Sequence, residues 1–256
     1  MISAMKICKD NMANPLQLAE INQYLDVLKS TGCTHVEVAS VMGHPNFMSV
    51  SKLWADAIHS KGLKVTWRCA HKNMEGLYGA EKYVGTARRQ PAFWIEEAII
   101  HANLIANSIK AGDECAFYPE RTEGIFQDST AFIFAGLPTS YAQLYIDMYE
   151  NLKSFPWTVG LAANNASELL SGWMPTLIPS YARVTVIDHY VDGDPVKLEA
   201  DLRNLKTKYG KPIYLQEGAP HRFTVPTNSE ISDYLNVLKK LDSEGILYGF
   251  GFWGGW

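Results

Sequence analysis

The sequence predicts an α/β protein, a (β/α)8 TIM barrel, and three observations carry that prediction. Short apolar runs suited to buried strands alternate with segments of helical period along nearly all of the 256 residues. Such alternation implies parallel strands joined by right-handed crossovers, and eight of them close naturally at about 250 residues. No Gly-x-Gly-x-x-Gly follows the first strand, which counts against the runner-up, an open doubly wound sheet with a dinucleotide site. Residues 1–256 are therefore expected to form one domain.

Taken in order, Met5–Lys9 reads as the first strand and residues 14–31 as a helix, begun by Asn14-Pro15 with Leu18, Ile21, Leu25 and Leu28 on one face. Thr34–Ala39 is the second strand, and Ser49 is expected to cap a helix carrying Trp54 and Ile58 until Gly62 ends it. Leu63–Arg68 is the third strand, followed by a long polar stretch. A helix from Pro91 to about Asn107 is expected to turn Ile95, Ile99, Ala102 and Ala106 inward, and a fourth strand from Ile109 to bring Glu114 to its end.

The pattern continues beyond a second long stretch, Cys115–Leu137. Ser140 and Gln143 form a capping box, and Trp157–Leu161 and Arg183–Ile187 are strands five and six. Asp194-Pro195 opens a helix that stops at Gly210, the apolar run from Ile213 that Pro212 and Gly218 bound is the seventh strand with Glu217 at its carboxyl end, and Ser229–Glu244 is a helix with Ile231, Leu235, Leu238 and Leu241 aligned. Ile246–Phe252 is the eighth strand. No final helix follows it, so the chain is expected to be a module excised from a longer protein.

A net charge of −4 and a pI near 6.0 offer no basic face for nucleic acid and no polybasic patch for a membrane. No apolar run reaches membrane length, and the first residues lack a signal peptide's apolar region, leaving the compartment open between cytoplasm and secretion within a longer chain. Cys8, Cys33, Cys69 and Cys115 are too dispersed for a zinc site and are expected as buried free thiols. No cofactor is implied.

In a barrel the carboxyl ends of the strands converge, so distant residues become neighbours. The convergent set is Asp10 and Asn11 from strand one, Arg68 and His71 from three, Asp113 and Glu114 from four, Asn164 from five, Asp188, His189 and Tyr190 from six, Glu217 from seven and Trp253 from eight. Two carboxylates among aromatic platforms suit glycosidic bond hydrolysis, one protonating the departing oxygen and the other attacking the anomeric carbon.

In these residues the chain resembles clan A of the retaining glycoside hydrolases. Asp113-Glu114 is similar to that clan's Asn-Glu pair, Gln216-Glu217-Gly218 to its nucleophile strand, His189-Tyr190 to its strand-six polar pair and Trp253 to its strand-eight tryptophan. The resemblance implies a carbohydrate substrate, Glu217 as nucleophile and Glu114 as acid/base, and the remaining ten residues of the convergent set are expected as substrate contacts. Asp113 departs from the asparagine, and the clan's strand-two arginine is missing, with Arg68 nearby to replace it. The long stretches after strands three and four favour endo-action.

Two rivals remain. A divalent-metal barrel enzyme could be built from Glu114, Asp188, His189 and Glu217 with His71 or His35. A non-catalytic carbohydrate-binding barrel is the other, since fold does not entail function.

Overall fold

The computed structural model describes residues 2–6, 11–70, 91–116, 147, 150–154, 162–163, 166, 170, 184–221 and 224–252. The chain divides into two compact units, Ala4–Thr158 and Val159–Trp256 with Met1–Ser3. Alternating strands and helices run through both.

β1 (Ile2–Lys6) opens the chain, earlier than the Met5–Lys9 expected. α1 (Leu18–Ser30), β2 (His35–Val41), α2 (Phe47–Ser60), β3 (Lys64–Ala70), α3 (Pro91–Ile105) and β4 (Glu114–Ala116) follow. β3 lies between β2 and β4 in a parallel ladder, with Glu37 level with Thr66 and Thr66 level with Glu114. Apolar side chains at every second strand position, Val36 and Val38 on β2 and Val65 and Trp67 on β3, are buried, as are Ile21, Leu25, Trp54 and Ile58 from the helices. Tyr24 meets Trp54 edge-on at 6.3 Å.

Several boundaries differ from expectation for local reasons. α1 starts at Leu18, because the side chains and backbones of Gln17 and Glu20 form a reciprocal capping box that Asn14-Pro15 do not supply. Ser49 is not a cap: the N-cap is Asn46, and Ser49 Oγ donates to the Asn46 carbonyl from inside α2. On α3 the buried positions are Ala98, His101, Ala102 and Ile105, while Ile95 and Ile99 are half-buried and Ala106 exposed. That phase lets His101 meet Phe47 edge-on at 5.0 Å.

The most consequential shift is in β4. Lys110–Asp113 are a turn, closed by the Asp113 amide on the Lys110 carbonyl, with Gly112 at φ +90 in the third position, where positive φ suits glycine. The strand therefore begins at Glu114 rather than ending there.

Alternation then separates Asp113 from Glu114. Asp113 faces the side of Val65 and Trp67, and its fully buried carboxylate accepts hydrogen bonds from the Val65 and Lys110 amides at 2.9 Å and from His59 Nε2 at 3.0 Å to each oxygen. Trp67 Nε1 stands 3.4 Å away. This carboxylate joins the end of α2 to β3 and to the turn before β4. Asp113 is thus no sugar contact: donors from its own packing layer occupy its oxygens.

In the second unit β5 (Ala162–Ala163), β6 (Val184–Tyr190), β7 (Ile213–Ala219) and β8 (Leu247–Phe252) form a parallel ladder in that order. α4 (Pro195–Tyr209) begins on Asp194, whose carboxylate accepts from the Val196 and Lys197 amides, and ends on Gly210 at φ 66. α5 (Asn228–Ser243) begins on a Thr227–Glu230 capping box and buries Tyr234, Leu238 and Leu241, with Ile231 and Leu235 half-buried. β7 is buried along its whole length, as a strand covered on both faces must be. Among the described residues Cys33 and Cys115 are buried, with Cys33 Sγ donating to the His35 carbonyl, and no helix is long and apolar enough to cross a membrane.

Asp113→Ala would strand the buried imidazole of His59 and two amides at once. We expect a loss of about 3–5 kcal/mol in urea denaturation.

Candidate active site

Glu217 lies near the carboxyl end of β7, level with Asp188 of β6. Tyr190, two residues beyond Asp188 on the same strand face, donates from its hydroxyl to Glu217 Oε2 at 3.2 Å. Glu217 is 9% exposed, so its carboxylate reaches solvent only at its tip. A phenol donor holds one oxygen in place without adding charge. The site thus has an aimed, nearly buried carboxylate at a strand end.

The residue after it explains the glycine of Gln216-Glu217-Gly218. Gly218 faces α5, and a Cβ there would stand 2.2 Å from Tyr234 Oη and 2.8 Å from the Leu215 side chain. Tyr234 is fully buried, and burial pushes its phenol far above the ordinary range, so it remains a neutral wedge. It presses against β7 from behind.

Alternation also divides His189 from Tyr190. His189 is buried toward α4, where Nε2 lies 3.2 Å from Asp201 Oδ2. His189, and then Lys197, hold the Asp201 carboxyl below its usual range, although burial opposes them. His189 is accordingly a strand-to-helix tie, a correction to its place among the sugar contacts. It is also lost to the metal arrangement, which needed it beside Glu217.

In the first unit Arg68 is buried, and its guanidinium lies 3.5 Å from Glu37 Oε1, itself wholly buried on β2. Glu114 is half-buried in the row of Glu37 and Thr66, one row nearer the amino ends than Arg68. Its charge reaches His35, the first residue of β2, whose imidazole is lowered chiefly by burial. A glutamate at the start of its strand does not occupy the carboxyl-end position that the resemblance implied. Asn11 is buried in the segment after β1, and among the described residues its Oδ1 has no hydrogen-bond partner.

Asp10, His71, Asn164 and Trp253 lie outside the described residues, and for Asp188 only the backbone is described. Among the described residues no three His, Cys, Asp or Glu side chains are grouped to hold a metal. Sequence reasoning missed His221 and Glu230. His221 follows Glu217 by four residues and donates to Glu230 at 3.0 Å. The Thr227–Glu230 capping spacing was a visible signal for Glu230.

No protein-family model and no curated protein matches the sequence. Solved structures do, glycoside hydrolases among them. The psychrophilic β-glucosidase BglU from Micrococcus antarcticus is 9% identical at a TM-score of 0.65, over 99% of this chain and 87% of that one. The GH113 β-mannanase AaManA from Alicyclobacillus acidocaldarius is 13% identical at 0.57, over 99% and 85%. A GH5-4 broad-specificity endoglucanase from an uncultured bacterium is 12% identical at 0.62, over 91% and 77%. At these identities the likeness is one of fold.

Gly218→Ala should destabilise the protein by about 1–3 kcal/mol through overpacking. Tyr234→Phe in the same chain should recover much of that loss in thermal melts, because the nearest clashing atom is the hydroxyl oxygen.

Proposed function

We propose that the protein is a retaining O-glycosidase, a single catalytic domain with a closed (β/α)8 barrel, in which Glu217 is the nucleophile. The observation that carries the reading is the hydrogen bond from Tyr190 to Glu217 at the carboxyl end of a fully buried parallel strand. Barrel enzymes gather their chemistry at that end. The fold shared with β-glucosidase, β-mannanase and endoglucanase supports it and makes a β-linked oligo- or polysaccharide the substrate to try first.

In this mechanism one Glu217 oxygen attacks the anomeric carbon as the glycosidic oxygen leaves with a proton from a second carboxylic acid. Water, deprotonated by that same second residue, then releases the sugar from the glycosyl-enzyme. The nucleophile must be aimed, and the Tyr190 hydroxyl holds one of its oxygens.

The second carboxyl group must also face the bond from a strand's carboxyl end, about 5 Å from Glu217 for retention. Glu114 opens β4, and the first carboxylate in sequence beyond the described end of that strand, Ala116, is Glu120. On that ground we assign Glu120 rather than Glu114 as acid/base. Asn11, with its buried unpaired acceptor, and Asp188, level with Glu217, are assigned to sugar hydroxyls, with Arg68, Asp10, His71 and Asn164 as further contacts and Trp253 as a stacking platform. The long segments after β3 and β4 supply chain for a cleft and favour endo-action.

The test is turnover of aryl β-glycosides, β-mannan and β-glucan in EDTA. Glu217→Ala should lose activity on the order of 10⁴-fold, with azide restoring turnover of β-aryl glycosides as an α-glycosyl azide. Glu120→Gln should fail on substrates with poor leaving groups while still cleaving dinitrophenyl glycosides, and Glu114→Gln should show no such leaving-group dependence. Silence of the wild type on every substrate, or full activity in Glu217→Ala, would end the assignment.

A further inference from the structure

We propose that His221 and Glu230 are positioning residues for the Tyr190–Glu217 pair, acting by locking the exit of β7 to the exit of β6. The inference rests on the reading of Glu217 as nucleophile. It concerns what keeps that carboxylate and its donor in register.

β6 leaves Tyr190 directly into the turn Val191–Asp194, closed by the Asp194 amide on the Val191 carbonyl at 2.9 Å. Its two central residues, Asp192 at φ 48 and Gly193 at φ 81, are both left-handed, the pattern of a type I′ turn for which Asp-Gly is well suited. β7 leaves Glu217 into Pro220 and His221. The Gly193 amide donates to the Pro220 carbonyl at 3.0 Å, so one backbone hydrogen bond staples the two exits together. The turn and the staple are both short and stiff.

The staple and the functional pair are arranged in parallel. Tyr190 precedes Gly193 by three residues, and Glu217 precedes Pro220 by three. The staple is backed from α5: His221 Nε2 donates to Glu230 Oε1 at 3.0 Å, while Glu230 Oε2 takes the Thr227 amide at 2.7 Å and its hydroxyl at 2.8 Å. A Cβ on Gly193 would stand 3.1 Å from the His221 ring and 3.2 Å from Glu230 Oε1, so ring and carboxylate form a wall against the turn. The hydrogen bond from His221, followed by the bonds from Thr227, brings the Glu230 carboxyl down to about 2. Across the working pH range the wall is therefore an anion already committed to its donors.

The functional pair is sensitive to this arrangement. At 3.2 Å the Tyr190 contact is long for a hydroxyl donating to a carboxylate, where about 2.5–2.7 Å is usual. A small slip of β6 against β7 would open it, and small misplacements of reacting groups are costly in rate. A purely structural role for His221 would lower stability and leave the pair as it is.

The test uses the full chain with 3-fluorotyrosine at position 190, read by fluorine NMR and by kinetics on the aryl β-glycosides above. In His221→Ala the fluorine resonance should move toward that of Glu217→Gln, and kcat should fall about tenfold with KM within about twofold. His221→Gln, whose amide can still donate to Glu230, should keep both near wild type. In Tyr190→Phe, adding His221→Ala should cost no further kcat. Should His221→Ala fail to fold, His221→Asn, whose shorter amide does not reach Glu230, takes its place. An unmoved resonance in the folded variant would overturn the proposal, and so would an additive kcat loss with Tyr190→Phe. If the wild type turns over nothing, the glycosidase reading falls, and the fluorine comparison still decides whether His221 holds the pair.

Discussion

A β-strand offers successive side chains to opposite faces, and the described site depends on that one constraint. Three adjacent pairs are split by it. Asp113 turns to His59 and Trp67 while Glu114 joins the row of Glu37 and Thr66. His189 turns to Asp201 while Tyr190 meets Glu217. Gly218 turns to Tyr234 while Glu217 takes the hydrogen bond. One member of each pair joins strand to helix or makes room for the helix, and that fixed backbone is what aims the other member.

Asp113 on the helix side is tolerated because its carboxylate is met by donors. A buried carboxylate costs several kcal/mol in desolvation unless donors compensate, and Asp113 draws its donors from two backbone amides and His59. On the other face of the strands Arg68 lies 3.5 Å from Glu37. On the outside, Glu199 binds both Arg203 and Lys240, and Arg203 reaches Glu244, which ties α4 to α5. Exposed pairs of that kind contribute little individually. The helices are held chiefly by Leu198, Leu202 and Leu205 on α4 and by Tyr234, Leu238 and Leu241 on α5.

The order of strands and helices was legible because burial imposes its period on the sequence, as in the unbroken apolar face of α4 between Asp194-Pro195 and Gly210. So was Glu217, which a short apolar strand ending in Glu-Gly-Ala-Pro marks as a strand-end carboxylate. The start of β4 was not legible. Ile109 reads as strand, yet a turn with Gly112 at positive φ takes the residues up to Asp113, and the face assignment of Glu114 changes with that boundary. A dipeptide resemblance is blind to alternation, so Asp113-Glu114 and His189-Tyr190 looked like joint contributors when each pair straddles its strand. The His221–Glu230 contact pairs residues nine apart across a loop and a helix start, a spacing with no periodic signature.

The tight turn after β6 bears on how this protein could diversify. Segments that connect strands and helices tolerate lengthening and carry much of the variation among related proteins. Between Tyr190 and Pro195 that freedom is absent: a four-residue turn of fixed hand is stapled to Pro220, and Asp194 within it already caps α4. An insertion there would sacrifice the cap, the turn and the staple together. Residues 191–194 are thereby fixed scaffold for any library of variants.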